Sequence, residues 1–365
     1  MNIKKVVIAG NYGAKNLGDE MILEGVLEMV KNMFPKSEVT VLSADPIATE
    51  QTHKVKSAYL FPSGIRSFIK GILFGHFAAT KQIVQECDLF ILGGGGLFAS
   101  IKRRANIIWG RQVKWVYHYK KPLFILGQSL ENIKGFFGYR IVKRVFENAK
   151  VIAVRDIQSK AVLDALGIKK HIYVIPDAAF RVRTGEKYHS GGQGLIILRK
   201  SDRLSNQYLY EVGEFAKWLI KEENMDICFV NFQNADNSLH EKMSGYTKKE
   251  GICIVTPKSV NDVFDLYHKA DFVLGMPLHS VIAAVKTETP FIALKYALKV
   301  MASLEYFDLS EWGMDIENLT CEKLKRKYKE LKSKKFEVVR KMSIFNENAL
   351  AELKNFEQEV IRNIF

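Results

Sequence analysis

The sequence predicts an α/β protein of two domains, each a parallel sheet doubly wound with helices, followed by a helical tail. Three observations predict it. Short β-rich runs alternate with longer amphipathic stretches along most of the chain, as successive βαβ units require. A polar, glycine-rich stretch without periodicity, RVRTGEKYHSGGQG at residues 181–194, divides that alternation in two. Finally, 365 residues with 47% apolar and 26% charged content can bury two cores, which excludes disordered and collagen-like chains. The expected boundaries are 1–182, 193–314 and a helical 315–365.

In the first half, strands are expected at VVIAG (6–10), VTVLS (39–43), LFILG (89–93), LFILG (123–127), VIAVR (151–155) and IYVIP (172–176). A helix over 18–33 places Ile22, Leu23, Val26, Leu27 and Val30 on one face, with Asp19 and Glu20 in its positively polarised first turn. The second half repeats the pattern with LIILR (195–199), DICFV (226–230), ICIVT (252–256), DFVLG (271–275) and PFIAL (290–294), with helices over 205–221, 236–245 and 259–269. Open α/β sheets bind ligands beyond the carboxyl ends of their strands, so the loops that follow the strands are where chemistry is expected.

No apolar run is long enough to span a bilayer, and the start MNIKKVVIAG enters a strand without a secretory h-region. Cys87, Cys228, Cys253 and Cys321 are widely separated, without CxxC spacing, and read as reduced cytosolic thiols. Lys and Arg total 54 against 40 Asp and Glu, a formal +14, so an anionic partner is expected. Eight cations between Lys323 and Lys335 form the densest block, which a solvated helix face also explains.

After the first strand comes GNYGAKNLGDE, with Asn11, Gly13, Asn16, Gly18 and Asp19 opening a helix; its glycine spacing fits neither a dinucleotide fingerprint nor a P-loop. Gly93, Gly94, Gly95 and Gly96 after the third strand form either a tight turn or a ligand-facing one. Gln128 and Ser129 follow the fourth strand. Arg155 and Asp156 follow the fifth, as a helix cap with a cation on its rim or as a donor fork for an anion. Asp177 follows the sixth and Arg199 the first strand of the second half. His279, in GMPLHS, is the one histidine of eight expected just past a strand where a ligand would bind, and could be structural or an acid/base; His118, His240 and His268 fall within helical patterns. No spacing suggests a metal site.

The ordered set NYGAKNLGDEMIL (11–23), LGGGGLF (92–98), GQS (127–129), VRDIQSKAVLDALGI (154–168), PDAAF (176–180), Arg199, GMPLHSVIAA (275–284) and TPFIALKYALKV (289–300) resembles the polysaccharide pyruvyl transferase family. The resemblance implies two Rossmann-like domains in a GT-B-like arrangement, the first on the acceptor side and the second on the donor side. It implies transfer of the enolpyruvyl group of phosphoenolpyruvate to a sugar of a bacterial cell-surface polysaccharide or its precursor, forming a ketal, with no cofactor beyond that co-substrate. By resemblance His279 is the catalytic histidine, and Arg199 and Lys299 bind the donor. Lys295 and Arg155 are further donor candidates by their chemistry, and Asn11, Gly13, Asn16, Gly18, Asp19, Gly94, Gly95, Gly96, Gln128 and Asp177, which follow strands, are candidates to bind the acceptor or line the cleft.

Two departures stand out: Pro277 occupies the position of a family arginine in GMRLH, and GQSLENIKG replaces a more glycine-rich GQGIGP. Losing one charge-assisted pair costs roughly 1.5–3 kcal/mol of anion binding unless Lys286, Lys295 or Arg155 compensates. Alternative functions are a GT-B glycosyltransferase using a nucleotide sugar, or a catalytically altered glycan-binding relative. The expected partners are phosphoenolpyruvate and a free or lipid-linked sugar, not nucleic acid. The expected location is the cytoplasm, with contact at an anionic inner membrane face through the lysine block and a helix over 64–79. There Ile65, Phe68, Ile69, Ile72 and Leu73 share one side, near Arg66 and Lys70; packing of that stripe against a sheet is the competing expectation.

Overall fold

A computed structural model describes residues 3–62, 69, 71–98, 103–130, 133, 135–185, 191–199, 207–247 and 252–364. These residues form two compact α/β units. The first comprises Met1–Lys15, Asp19–Val182 and Ala349–Phe365, and the second Asn16–Gly18 and Arg183–Asn348.

The first sheet contains β1 (Lys5–Ala9), β2 (Glu38–Ser43), β3 (Lys56–Tyr59), β4 (Leu89–Leu92), β5 (Gly95–Phe98), β6 (Leu123–Leu130), β7 (Val151–Val154) and β8 (Tyr173–Val174). Its order is β3-β2-β1-β4-β6-β7-β8, with β5 also on β6, and every pairing is parallel. The second sheet contains β9 (Gln193–Ile197), β10 (Asp226–Val230), β11 (Ile252–Val255), β12 (Phe272–Gly275), β13 (Phe291–Lys295) and β14 (Gly313–Asp315), in the order β11-β10-β9-β12-β13-β14, again all parallel. Both orders are those of doubly wound sheets. Each reverses direction once, between β1 and β4 in the first sheet and between β9 and β12 in the second, and a ligand crevice opens at such a switch point.

The strands are continuous apolar runs because helices cover both faces: Phe90–Leu92, Leu195–Ile197 and Val273–Leu274 are buried. The sequence pattern misses β3 and β14, which are short and half exposed, and β5, whose first two residues are glycines read as turn. The lysine-rich helix Cys321–Ser333 packs on the second unit through Leu324, Tyr328 and Leu331, with Tyr328 edge-on to Phe272 at 5.0 Å. Within the last helix, Lys335–Ile364, residues up to Asn348 group with the second unit and those from Ala349 with the first, where Glu357 pairs with Arg181 at 2.8 Å.

Two expectations are corrected. Cys228 and Cys253 face each other across β10 and β11, Cα atoms 4.7 Å apart, and form a disulfide; only Cys87 and Cys321 are free. Strand register sets that pairing, and a sequence separation of 25 carries no trace of it. Nor is 64–79 one helix. Gly75, at φ 69°, separates a short helical turn from α3 (His76–Glu86), and Ile69, Ile72 and Leu73 face solvent instead of a sheet. Ile65, Arg66, Phe68 and Lys70 lie outside the described residues.

Candidate functional site

In the first unit the loops after β1 and β4 meet at the switch point around a buried tyrosine. The Tyr12 ring fills the space beside Gly10 and Gly93: a Cβ on Gly93 would sit 1.9 Å from Tyr12 Oη, which explains why glycine follows β4. Burial first, then the nearby carboxylates of Asp19, Glu20 and Asp177, raise the Tyr12 phenol well above its ordinary range, so it stays neutral.

Around this ring the edge is cross-linked. Asn11 Nδ2 donates to Asp19 Oδ2 (2.8 Å), and the Gly13 N–H donates to Glu20 Oε1 (2.9 Å). Glu20 Oε2 lies 2.8 Å from His53 Nε2, and Glu24 Oε1 lies 3.4 Å from His53 Nδ1. Burial pulls the His53 value down, but hydrogen bonds and charge from Glu20 and Glu24 outweigh it and push the imidazole up to about 9. Gln128 Nε2 donates to the Gly93 carbonyl. Asp156 caps the helix Ile157–Ala165 through Ser159 N–H (2.7 Å) and accepts from Ser129 Oγ (3.0 Å). Arg155 Nη1 is 2.9 Å from Asp177 Oδ2, and both side chains are buried, while Asp177 Oδ1 accepts from the Ala179 N–H. Gly94 is buried next to Gly127, Gly95 faces Asp19 and Gly96 is exposed, both at the start of β5. The four glycines are therefore a turn running into a strand.

The second unit gathers the other candidates at its own switch point. The Met276 N–H donates to the Ile197 carbonyl (2.9 Å), and the Arg199 N–H donates to Met276 Sδ (3.3 Å), so the segments after β9 and β12 run side by side. Pro277 is the N-cap of the helix Leu278–Lys286; its carbonyl accepts from the Ser280 N–H (3.0 Å) and Oγ (2.6 Å), placing His279 in the first turn. Lys295 ends β13 and pairs with Asp315 at 3.2 Å; Lys299 lies in the first turn of the helix Leu298–Tyr306.

Asn16 and Gly18 belong here, not with the rest of their loop. Asn16 bridges to Gln233, the Leu17 N–H donates to the Phe232 carbonyl (3.0 Å), and Asn16 Oδ1 accepts from the Gly18 N–H (3.1 Å). A Cβ on Gly18 would lie 2.5 Å from His279 Nδ1, so only glycine lets that backbone approach the imidazole.

His240 carries no functional signal in the sequence because it lies within a helical pattern. Its Nε2 accepts from the Leu198 N–H (3.2 Å) and its Nδ1 bonds Asn231 Oδ1, so the proton sits on Nδ1; burial lowers its value to about 4. A neutral ring thus pins the residue before Arg199. His53, Tyr12 and Asn231 also escape sequence reasoning, since nothing in their spacing ties them to the strand ends. Among the described residues no group of three His, Cys, Asp or Glu could hold a metal ion, and no helix is long and apolar enough to cross a membrane.

Polysaccharide pyruvyl transferase is the family that matches this chain, over residues 16–297. The chain is 21% identical over 373 residues to the amylovoran biosynthesis protein AmsJ of Erwinia amylovora, covering 86% of this chain and 89% of AmsJ. In three dimensions it is similar to S. aureus MnaA in its UDP co-structure (TM-score 0.67, 13% identity, 99% and 95% coverage). It is similar too to a putative UDP-N-acetylglucosamine 2-epimerase from Listeria monocytogenes (TM-score 0.65, 14% identity, 94% and 91% coverage). At these identities the likeness is one of fold, that of two parallel-sheet α/β domains as in GT-B glycosyltransferases.

Proposed function

The chain belongs to the polysaccharide pyruvyl transferase family, whose description is of transferases acting on polysaccharide, and we propose that it carries the enolpyruvyl group of phosphoenolpyruvate to two hydroxyls of a sugar. The observation that carries this reading is that the segments bearing Arg199 and His279 follow the adjacent strands β9 and β12 at the switch point of the second sheet, joined by the bond from the Arg199 N–H to Met276 Sδ.

The second edge suits a trianionic donor. Arg199, Lys295, Lys299 and the first N–H groups of the helix Leu278–Lys286 are cationic or positively polarised. The first edge suits an acceptor: the exposed Asn11 and half-buried Asp19 offer donors and acceptors of the kind sugar hydroxyls use, on a base stiffened by the buried Asp177–Arg155 pair. Protonated His279 delivers its proton to the methylene carbon of phosphoenolpyruvate, leaving a cation at the adjacent carbon. One sugar hydroxyl adds there, phosphate leaves with the C–O electron pair, and the second hydroxyl closes the ketal. Of the two hydroxyl protons, one restores the imidazolium and one leaves on phosphate. The balance closes without a cofactor, and the reaction needs cationic stabilisation of the leaving phosphate more than any redox partner.

The test is phosphate release from phosphoenolpyruvate with free and lipid-linked sugar acceptors, alongside nucleotide release from nucleotide sugars. The expected result is acceptor-dependent phosphate release, reduced at least 100-fold in His279→Gln with the fold retained. Turnover of that variant near the parent rate would remove His279 from the chemistry. Nucleotide release instead would mark a glycosyltransferase, and glycan binding without either release a catalytically altered relative.

A further inference from the structure

The fold treats the chain's two most basic stretches differently. Along and just beyond the helix Cys321–Ser333, carboxylates meet the ammonium groups: Lys325 with Glu322, Lys327 with Glu330 and Lys332 with Glu223, each at 2.7 Å, and Lys335 with Asp271 at 3.8 Å. Residues 101–150 have few carboxylates to offer, with twelve Lys and Arg against two Glu, one of which, Glu147, lies 3.5 Å from Lys143.

Most of those cations lie on or beside two helices, α4 (Arg103–His118) and α5 (Phe136–Asn148). The helix α4 contacts both α5 and α3, so the three lie side by side. They follow β5, β6 and β3, and because the sheet is parallel all three begin at its carboxyl edge. Their starts share a second property. Leu73 and Phe74 just before α3 are 74% and 68% exposed, Phe136 and Phe137 opening α5 are 67% and 64% exposed, and Ile107 of α4 is exposed as well. Behind these apolar tips a groove of about 510 Å³ runs between α4 and α5, lined by Arg111, Lys114, His118 and Arg144 with Ile107 and Ile141. Arg140 stands over the Phe136 ring at 5.3 Å.

Exposed aromatic side chains in front of a cationic band match an anionic bilayer: the rings enter the headgroup–acyl boundary while guanidinium and ammonium groups meet lipid phosphates. We propose that this end of the first unit, with Leu73, Phe74, Ile107, Phe136 and Phe137 leading and Arg111, Lys114, Arg140 and Arg144 behind, docks on the surface of an anionic phospholipid bilayer. The lysine-rich helix, its charges largely met within the protein, takes no direct part. Docking in this pose turns the carboxyl edge of the first sheet toward the lipid, within reach of a sugar carried on it. The inference is independent of the reaction assigned above, because it is read by binding alone.

The experiment is co-sedimentation of the full chain with vesicles of phosphatidylcholine, or of phosphatidylcholine mixed with phosphatidylglycerol, across a salt series. Binding should require the anionic lipid and weaken as salt rises. Phe136→Ser/Phe137→Ser and Arg140→Glu/Arg144→Glu should each weaken it by about tenfold or more, since interfacial binding scales with the apolar area inserted and each basic residue near such a surface contributes about 1 kcal/mol. All four side chains are exposed, so melting temperatures should hold. Lys325→Glu/Lys329→Glu makes the same change of net charge in the other block and should shift binding less than about threefold. Equal recovery with neutral and anionic vesicles at low salt would overturn the proposal, and so would equal losses in the two charge-reversal variants. Tighter binding of single-stranded RNA than of anionic vesicles, lost in the same α5 variants, would reassign the face to nucleic acid.

Discussion

The carboxyl edges of the two sheets share a topology and differ in how their side chains are used. At the first edge nearly every polar group is held by another: Asn11 by Asp19, Gly13 by Glu20, Glu20 by His53, Ser129 by Asp156, Arg155 by Asp177. At the second, the bonds are mostly backbone to backbone or to a single side-chain atom, and they fix where the backbones of Arg199 and His279 stand. The difference teaches that one edge is a prebuilt surface whose damage is felt as stability, and the other a positioned pair whose damage is felt as chemistry.

Arg155→Ala would break that comparison most severely. Both Arg155 and Asp177 are nearly inaccessible, and removing the guanidinium leaves a carboxylate buried without its countercharge, which costs about 3–5 kcal/mol. Urea unfolding followed by fluorescence should show the first unit losing that much, and Arg155→Ala/Asp177→Ala should recover part of it. If stability held and only phosphoenolpyruvate binding fell, Arg155 would be a donor ligand, as its place just past a strand allows, and the first edge would not be self-contained.

His53 sharpens the same point through pH. Its folded value is about 9, above the ordinary 6.5, so the protonated ring stabilises the native state. That contribution is fully present below about 6.5 and is lost as pH rises through about 9, for a total of order 3 kcal/mol. Unfolding free energy should therefore decline across that window. His53→Asn should flatten the decline while weakening the latch from Glu20 to the Gly13 loop. A decline of the same slope in the variant would place the titrating group elsewhere.

How far the sequence reveals these edges follows from what each depends on. Strand runs, the glycine turns and the placement of Arg199 and His279 just past strand ends are all local or periodic, and hydrophobic alternation with turn chemistry exposes them. Strands β3, β5 and β14 escape because they are three or four residues long and carry little apolar signal. The Cys228–Cys253 bridge, the His53–Glu20 pair and the support of Leu198 by His240 are set by register and helix packing, so they become visible only when the chain is folded. The same holds for the basic surface. The lysine block is conspicuous in sequence but largely paired in the fold, whereas the cations of α4 and α5 are spread out in sequence and gathered in space.

Pro277→Arg makes the smallest change and asks whether the second edge is a complete donor site. At φ −65° and ψ 143° the residue has a backbone that arginine adopts without strain, and the turn is held by the residue's carbonyl, not its ring. The substitution should cost only about 0.4–1 kcal/mol of stability, through the freer unfolded chain. It places a guanidinium fork one strand from Arg199, and a charge-assisted pair to a phosphate or carboxylate there should strengthen phosphoenolpyruvate binding by roughly 1.5–3 kcal/mol, about 10- to 150-fold in Kd. Calorimetric titration of parent and variant reads this directly. Tight binding by the parent, unchanged in the variant, would mean that Lys299 or another cation of the second unit already fills the clamp. Absence of binding in both would detach His279 and Arg199 from this donor and leave the second edge to a different anion.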